Sequence, residues 1–274
     1  MRPATGLIAF VGAGPGAADL ITLRGAQRLA AADVVVWASS LVPTAVLEHC
    51  AESVELHDSA GMTLEDVFAV YETHPDAAIV RLHSGDVSLY SALTEQISWC
   101  IGHDRAFEIV PGVGSLAAAA ATAGVELTVP GVAQSAVLTR LGGGRTAASM
   151  PAGQSVADFA RHGTTMAIYL SAARPAALRK ELLVGYPPQT PAIVVAKASW
   201  PDETVITTTV DGLADALAGS GIRTAALVLV GPALAGMGDR SRLYDPVYSH
   251  GCRRRSVPGS TTGRAIPATK RRPP

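Results

Sequence analysis

Leu7-Ile8-Ala9-Phe10-Val11-Gly12-Ala13-Gly14-Pro15-Gly16-Ala17 is the stretch that decides the fold, because a continuous apolar run ends abruptly in a glycine-rich turn. Side chains alternate between faces along a strand, so a run that is apolar at every position suits a strand covered on both sides, as in a parallel sheet between helices. The run follows Met1-Arg2 but is too short for a secretory leader, and it reads as a first β-strand. Outward from it the pattern repeats. Ala/Leu-rich stretches at Leu23 to Ala32, Leu89 to Ile101 and Leu116 to Ala123 alternate with short strand-like runs at Val34 to Trp37, Ala78 to Leu82 and Glu108 to Val110. This alternation predicts an α/β domain with a mainly parallel sheet over residues 1–131.

The pattern lapses in the Pro/Gly-containing segment Val125 to Gln134 and resumes at Ala136 to Leu141. It continues through Thr165 to Leu170, Pro175 to Leu183, Ala192 to Ala196, Glu203 to Thr209, Leu213 to Leu217 and Thr224 to Val230. Only Ser199 to Asp202 lie before the strand Glu203 to Thr209, too few for a parallel crossover. A second α/β domain with a mixed sheet is therefore expected over residues 132–251.

With 274 residues, 48% of them hydrophobic, the chain can bury its cores without disulfides or metals. Cys50, Cys100 and Cys252 are odd in number and too widely spaced for a zinc site, which points to a reducing, cytoplasmic compartment and to no metal centre. No apolar run reaches the roughly 18 residues of a membrane helix, so no membrane partner is expected. Seven of the 22 Lys and Arg residues fall in 252–274, a segment without an acid, and the body is left net acidic. That tail, rich in Arg, Pro, Ser and Thr, reads as solvated and disordered rather than as a nucleic-acid arm. An anionic substrate would then need a locally basic cleft.

Ligands of open α/β sheets bind beyond the carboxyl ends of the strands, so the loops there are the candidate ligand sites. Gly12-Ala13-Gly14-Pro15-Gly16-Ala17 matches a dinucleotide fingerprint only formally. The second strand is followed by Ala38, Ser39 and Ser40 instead of the acid that would hold a ribose, and Pro15 lacks the N–H a pyrophosphate would use. A nicotinamide-dependent oxidoreductase is disfavoured accordingly. The next loops, His83-Ser84-Gly85-Asp86-Val87-Ser88 and Pro111-Gly112-Val113-Gly114-Ser115, are again glycine-bearing turns opening helices. Asp86 or Ser88 could simply cap a helix, but three such turns at successive strand ends suggest one ligand site.

These loops resemble the tetrapyrrole (corrin/porphyrin) methylase family. The resemblance is carried by Phe10 to Gly16, Asp58-Ser59-Ala60-Gly61-Met62-Thr63, Arg81 to Asp86, Val110-Pro111-Gly112, Glu126 to Pro130, Leu138-Thr139-Arg140 and Trp200 to Glu203. It continues through Leu243-Tyr244-Asp245-Pro246 and Ser249-His250-Gly251, and so spans about residues 7 to 251. Asp58 to Thr63 and Leu243 to Gly251 are similar to the branch that methylates precorrin-4 at C11. The resemblance implies two α/β domains, usually a homodimer, with S-adenosylmethionine bound between the domains, S-adenosylhomocysteine as its product and a tetrapyrrole as acceptor. It implies cofactor contacts at Pro15, Gly85, Asp86, Val87, Gly114, Ser115, Leu170 and Ala226. Val87 stands where the family usually has Pro, and Ser39 where it usually has Gly.

A sulfonium methyl is already activated, so transfer needs in-line positioning and exclusion of water rather than a nucleophile or metal. Arg suits the substrate's carboxylates through bidentate, charge-assisted bonds. Arg81, Arg140, Arg174 and Lys197, all at or near predicted strand ends, are the candidates for substrate binding, and His83 is the candidate for relaying a proton. Other readings are a methylase of the same family acting on another ring carbon, on cobalt-precorrin-4 or on a non-tetrapyrrole acceptor, and a tetrapyrrole binder without activity.

Overall fold

The computed structural model describes residues 6–143, 150–245 and 248–249. The tail 252–274 and, from the sequence motifs, Gly144, Pro246, His250 and Gly251 lie outside the described residues. Among the described residues no helix is long and apolar enough to cross a membrane.

The first sheet contains β1 (Ile8–Gly12), β2 (Val34–Trp37), β3 (Glu55–Asp58), β4 (Ile79–His83) and β5 (Phe107–Val110), ordered β3-β2-β4-β1-β5 and parallel throughout. Strand periodicity divides its core in two. Ala9, Val11, Val35 and Val80 face α1 (Leu23–Ala30), while Ile8, Phe10, Val34, Val36 and Ile79 face α2 (Leu64–Thr73) and α3 (Leu93–Gly102). Two of these helices begin at side-chain caps: the Thr22 hydroxyl accepts from Gly25 N–H at α1, and Thr63 with Asp66 forms a reciprocal capping box at α2.

Helix α4 (Ser115–Ala123) joins the two halves. Its small side chains Ala118 and Ala119 pack against Ala167, Ile193, Val195, Leu227 and Leu229 of the second sheet, so the first domain's last helix covers one face of the second domain. That sheet contains β6 (Ala136–Arg140), β7 (Thr165–Tyr169), β8 (Pro191–Ala196), β9 (Thr204–Thr209) and β10 (Ala226–Val230), ordered β6-β7-β10-β8-β9. Its other face is covered by α5 (Val156–Ala160), α6 (Pro175–Leu182) and α7 (Leu213–Ser220), around Ile168, Leu178, Val194, Leu213 and Val228.

The β6–β7 pair is parallel and the other three pairs are antiparallel, so the sheet is mixed, and β8–β9 is the hairpin that the short intervening segment required. Three elements escaped the sequence reading. Strand β3 is a short edge strand with an exposed pattern, α2 follows it after a 3-10 turn at Ser59–Gly61, and α5 has five residues. None presents the continuous apolar run by which the other elements were found.

Candidate functional site

The carboxyl ends of β1, β4 and β5 are drawn together by their glycines. An ideal Cβ at Gly12 would lie 2.6 Å from the Gly112 Cα and 2.7 Å from the Gly85 carbonyl oxygen, distances no side chain survives. Gly14 and Gly85 exchange backbone hydrogen bonds, Gly14 N–H to Gly85 O at 3.2 Å and Gly85 N–H to Gly14 O at 2.8 Å, with both residues at positive φ. Asp86 secures the third turn: one carboxylate oxygen accepts from Gly112 N–H at 2.9 Å and the other from Ser88 N–H at 2.9 Å and from the Ser88 hydroxyl. Burial works against the Asp86 charge, yet the Ser88 hydroxyl and the N–H groups of Gly112, Ser88 and Val87 together hold its carboxyl below the ordinary aspartate range.

A cleft of about 690 Å³ opens above these turns, between the two sheets. The first domain contributes Pro15, Leu41, Ser84 and Ser115 to its wall. The second contributes Leu170 and Arg174 after β7, Lys197 and Trp200 after β8, and Arg223 and Ala226 at the start of β10. Because β10 is antiparallel to β7 and β8, its amino end lies at the same rim as their carboxyl ends. Leu170, Lys197 and Ala225 all hold positive φ (50°, 51° and 50°), and Lys197 N–H donates to Ala225 O at 2.7 Å. Such conformations cost about 1–3 kcal/mol each and persist where the surroundings enforce them, often at ligand sites.

The β8–β9 turn latches the domains. Trp200 Nε1–H donates to Pro15 O at 3.0 Å, Ala17 N–H to the Ser199 hydroxyl at 3.0 Å, and a Cβ at Gly16 would overlap the Trp200 indole. Glu203 accepts from Ser199 N–H at 2.6 Å and from the Thr122 hydroxyl at 2.9 Å, which ties the turn to α4 as well. Burial pushes up the pKa of the Tyr169 hydroxyl in the cleft wall, against the opposing effects of the Ser115 side chain and Leu116 N–H across the junction.

Of the residues singled out in the sequence, Pro15, Ser115, Leu170 and Ala226 line the cleft, and so do Arg174 and Lys197. Gly85, Asp86, Val87 and Gly114 stand behind the wall: Val87 is buried, and the Gly85-Asp86 turn carries Ser84 into the lining. Arg140 ends β6, paired in register with Tyr169, and is not among the lining residues. Two candidates require correction. Arg81 is turned into the first domain, where its guanidinium donates to Val36 O at 3.3 Å and to the Ser59 hydroxyl at 2.8 Å. His83 is 7% exposed beside Phe10, at a ring-centroid distance of 6.2 Å, and burial together with the Arg81 charge lowers its pKa to about 3. A neutral imidazole so weakly basic, away from the cleft lining, is no proton relay.

Arg223 and Thr224 were not singled out as site residues in the sequence, and Trp200 was noted there only as part of a family motif. For Arg223 the signal existed, a cation at a strand boundary, but the rule of strand carboxyl ends excludes it unless β10 is known to run the other way. Arg174, Lys197 and Arg223 bring three cations to the cleft, whose described lining contains no Asp or Glu. Arg174 also donates to Leu141 O at 3.2 Å and Gly142 O at 2.6 Å, and Lys197 pairs with Asp202 outside the lining. Arg223 makes no ion pair among the described residues.

This arrangement fits S-adenosylmethionine. Val195, Ala198, Leu227 and Trp200 give apolar surface for a nucleoside, and the positive-φ residues Leu170, Lys197 and Ala225 turn the chain at the rim. Residues 7–214 match the family of tetrapyrrole (corrin/porphyrin) methylases. The chain is 44% identical over 232 residues to a precorrin-4 C(11)-methyltransferase of Rhodococcus erythropolis, covering 84% of this chain and 92% of the relative. It is 40% identical over 252 residues to a cobalt-precorrin-4 C(11)-methyltransferase of Priestia megaterium, covering 89% and 96%. Among solved structures, a cobalt precorrin-4 methyltransferase superposes with a TM-score of 0.79 at 40% identity, over 83% of this chain and 95% of that one. The uroporphyrin-III C-methyl transferase of Thermus thermophilus complexed with S-adenyl homocysteine superposes with a TM-score of 0.70 at 27% identity, over 85% and 100%.

Proposed function

The chain belongs to the tetrapyrrole (corrin/porphyrin) methylases, and from that premise we propose that it transfers a methyl group from S-adenosylmethionine to C11 of precorrin-4, giving precorrin-5. The observation that carries the substrate class is the cleft's charge: Arg174, Lys197 and Arg223 at its wall with no acid among the described lining residues. A polycarboxylate is the natural occupant of such a rim. No His or Cys is among the described lining residues either, and the reading rests on the macrocycle and its carboxylates rather than on ligation of a central metal. It therefore extends to cobalt-precorrin-4.

The bound cofactor supplies a methyl on a positively charged sulfur, which leaves as a neutral thioether when the ring carbon's electron pair takes the methyl. The protein's part is placement. Pro15, Ser115, Leu170 and Ala226 form the cofactor wall, and the Gly12, Gly85 and Gly112 turns set how closely backbone approaches it. The Trp200–Pro15 latch keeps the two walls at a fixed separation, so the acceptor carbon can be held within about 3–3.5 Å of the methyl with water excluded. Arg174, Lys197 and Arg223 orient the macrocycle by its carboxylates. No acid–base pair is required, in keeping with the neutral, buried His83.

The reading includes a homodimer working in the cytoplasm, without nucleic-acid or membrane partners, expectations supported by the family resemblance and the cysteine usage. Incubation with precorrin-4 and isotopically labelled S-adenosylmethionine, followed by NMR of the product, tests the central claim. The label is expected at C11, and a label at any other position, or none with either metal-free or cobalt-bearing substrate, overturns it.

A further inference from the structure

At the end of the first sheet opposite the cleft, three metal-ligating side chains converge that play no part in the chemistry above. Glu55 and His57 stand two residues apart on the edge strand β3 and so project to one face of the sheet, where His74, the residue that ends α2, meets them. His57 Nε2 lies 2.7 Å from one Glu55 carboxylate oxygen and His74 Nε2 lies 3.3 Å from the other. The imidazole centroids are 5.9 Å apart, and the three potential ligand atoms all lie within 4.8 Å of one another. No other trio of His, Cys, Asp or Glu side chains converges in this way among the described residues.

A second, independent feature concerns the other nitrogen of His74. Its Nδ1 lies 2.8 Å from the carbonyl oxygen of Val70. A carbonyl only accepts, so Nδ1 carries the hydrogen and Nε2 is the ring's ligand atom, directed at the other two side chains. Metal-bound histidines are oriented in this way, by donation of the second ring N–H to a backbone carbonyl or carboxylate.

We propose that Glu55, His57 and His74 form a binding site for one divalent cation of the zinc class, with water completing the coordination. Two imidazoles, one carboxylate and an open position are a common zinc donor set, with ligand distances near 2.0–2.2 Å. Ligand atoms around a tetrahedral ion then stand about 3.3 Å apart, the separation His74 Nε2 and Glu55 already have. Small rotations of the exposed Glu55 and the partly buried His57 side chains bring the third atom in. Any proton held on an Nε2 atom passes to solvent as the cation binds.

The site would act on structure and not on methyl transfer. Glu55 pairs with Val34 at the beginning of β2, while the cleft loops leave the opposite ends of the strands. Among the described residues β3 has only β2 as a neighbouring strand, and a cation bridging it to the end of α2 would fasten that edge of the sheet.

The test uses the full chain, stripped with a chelator and titrated with zinc chloride by calorimetry, with His imidazole NMR signals recorded in parallel. One zinc per chain at this site is expected, with the resonances of His57 and His74 shifted and those of the other described histidines unmoved. His57→Gln and His74→Gln should each weaken zinc binding at least tenfold. Zinc should raise the melting temperature of the parent by a few degrees and leave that of either variant unchanged. The proposal is overturned if zinc does not bind, if both variants bind it as tightly as the parent, or if other histidines alone respond. The NMR readout on the parent decides even where a variant fails to fold.

Discussion

At the residue scale, His83 and Arg223 show how position in the fold overrides residue type. His83 follows Arg81 by two along β4, on the strand face that carries Ile79, and its pKa of about 3 lies far below that of an unfolded histidine, near 6.5. The unfolded chain therefore binds the extra proton first, so stability is fully present above about pH 6.5 and declines as the pH falls from there towards 3. In an NMR titration the His83 imidazole is expected to stay neutral down to pH 5, and His83→Gln should flatten the stability loss between pH 6.5 and 5. A midpoint above pH 6 would return His83 to the list of proton relays. For Arg223, loss of a charge-assisted bond of about 1.5–3 kcal/mol corresponds to a ten- to hundredfold effect. Partial exposure of the rim puts the expectation at the low end: Arg223→Ala should raise KM for the tetrapyrrole about tenfold, with S-adenosylhomocysteine affinity unchanged. Equal KM values in variant and parent would remove Arg223 from substrate binding.

At the scale of elements, α4 links sequence composition to the site most directly. Its run Ser115-Leu116-Ala117-Ala118-Ala119-Ala120-Ala121 looks featureless, but small side chains are what let this helix lie against the second sheet. Ala119 is fully buried there, and Ser115 at the helix start lines the cleft. Ala119→Leu should overpack the junction at a cost of about 1–3 kcal/mol. The displaced helix should also weaken S-adenosylhomocysteine binding, so urea denaturation and calorimetry are expected to move together. A destabilised variant with unchanged affinity would show that α4 does not set the width of the cleft.

For the whole molecule, the decisive contrast is a body with more acids than bases around a largely apolar cleft whose charged residues, among those described, are all cations. Attraction is then local, and salt screens it over about 8–10 Å at physiological ionic strength. Raising ionic strength from about 0.05 to 0.3 M is expected to increase KM for the polycarboxylate substrate several-fold and to leave KM for S-adenosylmethionine within about twofold. Steady-state kinetics at both salt levels checks this. A salt-independent substrate KM would mean that contacts with the ring, and not the carboxylates, hold the substrate.

The sequence alone determined the alternation of strands and helices, the passage from one α/β domain to the next, the mixed character of the second sheet and the family. Each of these rests on local information: continuous apolar runs, glycine turns at strand ends, a four-residue gap between two strands. It also pointed to Pro15, Ser115, Leu170 and Ala226, through the resemblance to the family. Only the tertiary structure decided which cations line the cleft, because Arg81 and Arg174 look alike in one dimension, and the partners that turn the first into its domain and hold the second at the cleft wall come from distant parts of the chain. The edge strand β3, Arg223 on the reversed β10 and the meeting of Glu55, His57 and His74 were hidden for the same reason: strand direction and side-chain convergence depend on long-range pairing, which no local pattern encodes.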